Sequence, residues 1–96
     1  MFRIFRTLIL IIIFTTSFSY SKEIKLGMTA DFSGPVEYLG INTKIGVETY
    51  LNFINKNSEI KYKLISYDDK YNPIIASNNI RKLINEDVVA FIGNVG

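Results

Sequence analysis

The chain has 96 residues, of which 48% are hydrophobic, and a formal net charge of +2, and it contains neither cysteine nor histidine. Without these two residue types the sequence offers no disulfide, no cysteine or histidine zinc site and no Cys/His nucleophile pair. The lysines are interspersed with acids, so the clustered positive charge that nucleic-acid binding requires is also missing. No pattern typical of catalysis remains.

The first 21 residues have the order of a secretory signal peptide. Two arginines precede an unbroken apolar run over residues 8–14, and Ser19 and Ser21 supply the small residues of a cleavage site. A membrane anchor is the alternative, but a bilayer span needs about 20 predominantly apolar residues and this run ends too soon. We predict cleavage after Ser21, which leaves residues 22–96 as a formally neutral mature segment outside the cytoplasm.

The mature segment begins with an alternation of apolar and polar residues over 23–29, which predicts a strand. A polar turn with the sequence Asp-Phe-Ser-Gly-Pro follows at residues 31–35. From Gly40 to about Asn55, apolar residues recur at steps of three and four, which predicts a helix packed over a sheet. The apolar positions of this helix are Ile41, Ile45, Val47, Tyr50, Leu51, Phe53 and Ile54.

A second strand is predicted at residues 60–67 and is followed by a polar turn. Asn72 can cap a second helix that starts at Pro73, because the missing N–H of proline has no partner at that position. The residues expected on the buried face of this helix are Ala76, Ile80, Leu83 and Ile84. The short apolar run at residues 88–92 predicts a third strand that is covered on both faces.

The resulting order, βαβαβ, predicts an α/β fold with a parallel sheet and right-handed crossovers. With the strand order 2-1-3, the helices lie on both faces of the sheet and the topological switch point falls between the first and third strands. Ligands of such sheets bind at this point, beyond the carboxyl ends of the strands. We therefore expect the turn at residues 32–35 to face residues 93–96 across a binding site.

Five motifs in register resemble the N-terminal end of a periplasmic substrate-binding protein of the branched-chain amino acid type, which has the type I periplasmic-binding fold. The motifs are Phe32-Ser33-Gly34-Pro35, Gly40, Tyr67-Asp68-Asp69, Asn72-Pro73 and Phe91-Ile92-Gly93. The similarity covers residues 22–96 and implies the first half of the N-terminal lobe of a two-lobed protein. Such proteins close around a small solute and deliver it to an ABC importer in the inner membrane.

The resemblance also implies which residues contact the ligand. It places Leu39, the residue before Gly40, at the ligand, and residues 94–96 on the opposite wall. The predicted ligand-binding residues are Ser33, Tyr38, Leu39, Asn94, Val95 and Gly96. The serine and threonine that hold the ligand in the family come after this segment. Some members carry a disulfide at the positions of Tyr71 and Gly96, and both cysteines are absent here.

Simpler explanations compete with several of these features. The Ser33-Gly34-Pro35 sequence is also typical of an ordinary turn. Asp68 and Asp69 fit solvated acids that help to start the following helix better than they fit a metal or ribose site. The spacing of the tyrosines suits packing, and only Tyr38 is expected near a ligand.

Three functions stay open. The first is solute capture in the periplasm by hinge closure, with an amino acid or similar solute and an inner-membrane ABC permease as partners. The second is the ligand-sensing domain of a receptor. The third is a truncated fragment without activity, because residues 22–96 alone would leave sheet edges unpaired and apolar helix surface uncovered. We expect no enzymatic activity, no metal, no cofactor and no nucleic-acid partner.

Overall fold

The computed structural model describes residues 22–95, which form three strands and two helices. The elements in chain order are β1 (Lys22–Ala30), α1 (Glu37–Asn55), β2 (Ile60–Asp68), α2 (Pro73–Asn85) and β3 (Ala90–Phe91). The signal peptide predicted for residues 1–21 lies outside the described residues, and so does Gly96. Within residues 22–95, no helix is both long enough and apolar enough to cross a bilayer.

The sheet is parallel and has the order β2-β1-β3, which confirms the predicted topology. β1 pairs with β2 along its whole length, from Lys22 opposite Ile60 to Ala30 opposite Asp68. β3 pairs with β1 only through Ala90 and Phe91. Because the strands are parallel, the turns that follow them meet at one edge of the sheet, where α/β proteins bind ligands.

The helices pack on opposite faces of the sheet, as predicted. Successive strand residues point to opposite faces, so Gly27 and Met28 mark the two sides of β1. A Cβ atom added to Gly27 would lie 3.3 Å from Cδ1 of Leu83 in α2. On the other side of β1, a Cβ atom added to Gly93 would lie 3.5 Å from Cε of Met28 and 3.0 Å from Cγ2 of Thr43 in α1. The central strand therefore carries the core, whose buried apolar side chains are Met28, Ala30, Leu51 and Leu83.

The start of α2 is where the sequence predicts it, whereas α1 starts three residues earlier than expected. Oδ1 of Asn72 accepts hydrogen bonds from the N–H groups of Ile74 and Ile75 at 2.8 Å and 3.2 Å. A cap of this kind stabilises a helix by about 1 kcal/mol. The N-cap of α1 is Val36, which makes no side-chain hydrogen bond. The sequence therefore has no capping residue from which the start of α1 before Gly40 could be predicted.

β3 is shorter and more exposed than predicted. The expected strand over residues 88–92 is reduced to Ala90–Phe91, and Val89 is 69% exposed instead of covered. The physical reason is that β3 is an edge strand with β1 as its one neighbour among residues 22–95. Its N-terminal and C-terminal flanks are held by hydrogen bonds from Val89 N–H to Lys25 O and from Ile92 N–H to Gly27 O, each 2.9 Å long.

The apolar faces of both helices are only partly buried, which corrects the prediction for several residues. Ile84 is exposed, because Leu83 rather than Ile84 points at β1. In α1, Leu51 is buried but Phe53 is 70% exposed. At 3.6 residues per turn, two positions correspond to a rotation of roughly 200°, so these two side chains point in nearly opposite directions. The other exposed apolar residues of α1 are Tyr38, Leu39, Ile41, Ile45 and Tyr50.

Candidate ligand-binding site

A buried carboxylate organises the turn after β1. Asp31 follows β1 directly and is fully buried. Its Oδ1 accepts hydrogen bonds from the N–H of Ser33, at 3.1 Å, and of Gly34, and its Oδ2 accepts one from the N–H of Val36 at 2.9 Å. Backbone N–H groups in a turn have no ladder partner of their own, and a charged acceptor makes strong bonds with them. Asp31 therefore determines the path of the chain from β1 into α1.

Gly40 presses the first turn of α1 against the end of β1. A Cβ atom at this position would lie 1.9 Å from the backbone oxygen of Asp31, so only glycine fits. Tyr38 and Leu39 immediately precede Gly40 and belong to the same helical turn. The close approach at Gly40 therefore also fixes the positions of these two predicted ligand-binding residues.

Asp68 joins the turn after β2 to the turn after β1. Its Oδ1 accepts hydrogen bonds from the N–H groups of Phe32 at 2.9 Å and Lys70 at 3.0 Å, and its Oδ2 accepts one from the hydroxyl of Ser33 at 2.5 Å. Partial burial alone would raise the pKa of Asp68. The three hydrogen bonds and the charge of Lys70 outweigh that effect and lower the pKa of Asp68 below its ordinary value. The carboxylate is therefore ionised at neutral pH.

Asp69 is buried and hydrogen-bonded, which corrects the expectation of a solvated acid. Its Oδ2 accepts a hydrogen bond from the hydroxyl of Thr29 at 3.0 Å. The side-chain amide of Asn79 in α2 donates to the same Thr29 hydroxyl at 3.1 Å and to the backbone oxygen of Asp68 at 3.0 Å. Asp69 thus supports the sheet end instead of the helix start, which Asn72 caps. Among residues 22–95, no three acidic, histidine or cysteine side chains are grouped so that they could hold a metal ion.

The turn after β2 contains two consecutive residues in the left-handed region. Lys70 and Tyr71 have φ values of 52° and 61°, a conformation that costs non-glycine residues roughly 1 kcal/mol or more each. Oδ1 of Asp68 accepts a hydrogen bond from the N–H of Lys70, and Oδ1 of Asp69 accepts one from the N–H of Tyr71 at 2.9 Å. The hydrogen bonds to the two carboxylates therefore offset part of the strain of this turn.

Asn94 connects the segment after β3 to the end of β1. Its side-chain Oδ1 accepts the backbone N–H of Thr29 at 3.0 Å. Gly93 precedes it with a φ of 72°, in the region that favours glycine. Val95 is half-buried, and Gly96 lies outside the described residues. The third turn is thereby anchored at the same sheet end as the other two.

All of the described ligand-binding candidates lie at the carboxyl end of the sheet. Ser33 and Asn94 are exposed, and Tyr38 and Leu39 are 61% and 42% exposed, so these side chains are available to a ligand. The hydroxyl of Ser33 makes its hydrogen bond to Asp68 in the turn after β2. The sequence analysis had instead expected the turn of Ser33 to face residues 93–96, after β3. The sequence analysis placed Asp31 in this turn without identifying its supporting role, although Asp is a turn residue with a known mechanism, and it missed Thr29 and Asn79.

A shallow groove of about 310 Å³ lies beside this region, at the start of α2. It is lined by Asp69, Tyr71, Asn72, Pro73 and Ala76. None of the described ligand-binding candidates lines it. The groove is therefore adjacent to the predicted site and distinct from it.

Comparisons with known proteins extend over nearly all of the described residues. Residues 23–96 match a family model described as periplasmic binding protein. Among solved structures, the chain is similar to the crystal structure of a possible leucine/isoleucine/valine-binding protein from Rhodopirellula baltica SH 1, with 35% sequence identity and a TM-score of 0.73. That match covers 79% of this chain and 22% of the other, so the chain spans about a fifth of that protein's length. No curated protein matches the chain.

Proposed function

The chain belongs to the periplasmic binding protein family, and we propose that it forms the N-terminal part of the first lobe of a solute-binding component of an ABC importer. Family membership points to a binding rather than a catalytic role. The ligand in this proposal is an amino acid or a related small polar solute, captured in the periplasm and released to an inner-membrane permease. Residues 1–21 would direct export as a cleaved signal peptide.

One observation supports this proposal most strongly. The turn after β1 is held by Asp31 and Asp68, so Ser33 and the start of α1 are fixed at the sheet end where open α/β folds bind ligands. A ligand wall that is held in place before binding loses less conformational entropy when the ligand arrives. In the proposed site, Ser33, Tyr38 and Leu39 form one side and residues 94–96 form the other, and a second lobe closes over them.

The first experiment measures the intact mass of the native protein in an extracytoplasmic extract. The tryptic peptide of residues 71–81 identifies the protein. We expect a mass several times that of residues 22–96 alone, since the similar protein from Rhodopirellula baltica SH 1 is much longer than this chain. A mass that matches residues 22–96 would contradict solute capture by this chain and favour a fragment without activity.

The second experiment measures ligand binding by the protein at its native length. A thermal-shift screen against amino acids, small amides and urea should yield at least one solute that raises the melting temperature in a concentration-dependent way. The variant Leu39→Asp, which places a charge on the proposed apolar wall, should weaken that response. The matched control Ile45→Asp changes an exposed residue farther along α1 and should leave the response unchanged. Equal effects of both variants would contradict the proposed position of the site.

A further inference from the structure

We infer that Ser33 is a specificity-determining residue that accepts hydrogen bonds from the ligand and does not donate them, so the ligand group bound beside it carries N–H. This inference rests on the proposed function and assigns a chemical polarity to one part of the same site. It starts from the hydrogen bond between the hydroxyl of Ser33 and Oδ2 of Asp68, which is 2.5 Å long.

The direction of that hydrogen bond follows from the protonation state of Asp68. A serine hydroxyl has one proton to donate and two lone pairs, whereas an ionised carboxylate can only accept. Asp68 already accepts from the backbone N–H groups of Phe32 and Lys70, and these contacts favour its charged form. The single proton of the Ser33 hydroxyl is therefore committed to Asp68. What Ser33 presents to solvent is the acceptor side of its oxygen.

The local charge agrees with this assignment. Three carboxylates belong to the two linked turns, namely Asp31, Asp68 and Asp69. Exposed Lys70 directly follows Asp69, and half-buried Lys44 lies in α1. Nζ of Lys44 lies 5.3 Å from the ring centre of Phe32 and 3.9 Å from Oε1 of Glu48, so its charge is already paired within α1. An anionic ligand group beside Ser33 would meet a hydroxyl with no free proton and would be repelled by the nearby carboxylates. An ammonium or amide N–H would meet an acceptor polarised by a carboxylate.

The backbone support of Ser33 is independent of its hydroxyl. Oδ1 of Asp31 accepts the backbone N–H of Ser33 at 3.1 Å, and this bond remains when the side chain is shortened. Ser33→Ala therefore removes the acceptor while the turn keeps its frame. Ser33→Thr retains the hydroxyl and is the conservative variant. Ser77→Ala is the matched control, because Ser77 is an exposed serine on α2.

The test uses the protein at its native length and two sets of probes, all of which except urea have related branched carbon skeletons. The first set carries N–H and includes L-leucine, L-valine, leucinamide and urea, and the second lacks it and includes 4-methylpentanoate and 3-methylbutanoate. We expect the bound probes to come from the first set. Ser33→Ala should weaken their binding about tenfold, the usual effect of one hydrogen bond to a charged group. Ser33→Thr and Ser77→Ala should stay within about twofold of the wild type.

Each other outcome has a distinct meaning. Binding of an N–H probe that is indifferent to Ser33→Ala would overturn the inference and leave the proposed function standing. A probe without N–H that binds best and is weakened by Ser33→Ala would also overturn it, because Ser33 would then act as a donor. If wild-type protein binds no solute from either set or from a wider metabolite panel, the proposed function fails and the inference fails with it.

Discussion

The two ends of α1 differ in how completely they are supported by the rest of the molecule. At its start, Gly40 is pressed on Asp31, and the preceding turn makes hydrogen bonds to two carboxylates. In its second half, Leu51 is buried while Tyr50 and Phe53 are exposed. Residues 22–95 therefore supply a complete frame for the ligand end of the sheet but leave much apolar surface without a partner among themselves.

The difference has a physical basis in the kind of interaction at each end. Hydrogen bonds from turn N–H groups to Asp31 and Asp68 are local or involve the adjacent strand, so they need only the first two βα units. Burial of an apolar helix face needs a second layer of comparable size. The proposed completion by further parts of a two-lobed protein would supply such a layer on the flanks without altering the polar end.

Gly40→Ala tests the supported end and should have the largest effect. The added Cβ would meet the backbone oxygen of Asp31 at 1.9 Å, so α1 must move away from β1. We expect destabilisation of about 3 kcal/mol, at the upper end of the range for overpacking. Gly46→Ala is the control, because an added Cβ there meets nothing within 4 Å. That variant should be stabilised by about 0.5–1 kcal/mol, and denaturant unfolding of the native-length protein measures both. Equal stability of the two variants would contradict the close approach at Gly40.

Asp31→Asn tests the carboxylate at the same end with a side chain of the same shape. The amide NH₂ cannot accept a hydrogen bond, so at least one of the N–H groups of Ser33, Gly34 and Val36 loses its acceptor in a buried place. The expected loss of unfolding free energy is about 2 kcal/mol. Glu59→Gln, an exposed acid in the α1–β2 connection, should change it by less than about 0.5 kcal/mol. An Asp31 variant as stable as this control would show that the turn does not depend on the charge.

Acid titration tests the contribution of Asp68 to the stability of the ligand end. The pKa of Asp68 is lower in the folded protein than in an unfolded chain, so its contribution to stability is complete above about pH 4 and is lost as the pH falls through the folded value. Asp68→Asn should therefore be less stable than the wild type at pH 7, and the difference should shrink as the pH falls below 4. Unfolding curves at a series of pH values measure this difference. A gap that stays constant down to pH 2 would contradict a lowered pKa of Asp68 in the folded state.

Phe53→Ser probes the exposed end and should have the smallest effect. With 70% of its surface exposed, Phe53 contributes little burial, so we expect a change within about 0.5 kcal/mol in the native-length protein. A loss above about 2 kcal/mol would mean that another part of the protein covers this face. The isolated segment of residues 22–96 should bind an exposed-surface dye, and Phe53→Ser should reduce that binding. A cooperative melt of the isolated segment without dye binding would contradict the idea that its apolar surface lacks a partner.

The sequence predicted the elements that have local or periodic signals. The alternation in β1, the Asn72-Pro73 cap and the order of strands and helices predicted elements that the structure confirms, and the expected strand order 2-1-3 is confirmed with them. Burial was harder to predict, because periodicity identifies an apolar stripe but not the partner that covers it. Phe53 and Ile84 fit the helical pattern and are nevertheless exposed.

The frame of the candidate site was only partly predictable. Ser33 was selected because it lies in a turn at a strand end, but its hydrogen bond to Asp68 joins residues 35 positions apart in the chain. Asp69 was expected in solvent, and its bond to the Thr29 hydroxyl depends on the register of β1 and β2. Such contacts follow from strand pairing, which residue types alone do not specify.

Hydrogen–deuterium exchange of the native-length protein, with and without a solute that binds, measures which end of α1 responds to the ligand. We expect slower exchange on binding for the amides of residues 32–40, which form the turn after β1 and the first turn of α1 at the ligand end of the sheet. We expect no change for residues 45–55 in the second half of α1. Protection of residues 45–55 with no change at residues 32–40 would contradict the account, because the solute would then bind on the apolar flank instead of at the strand ends.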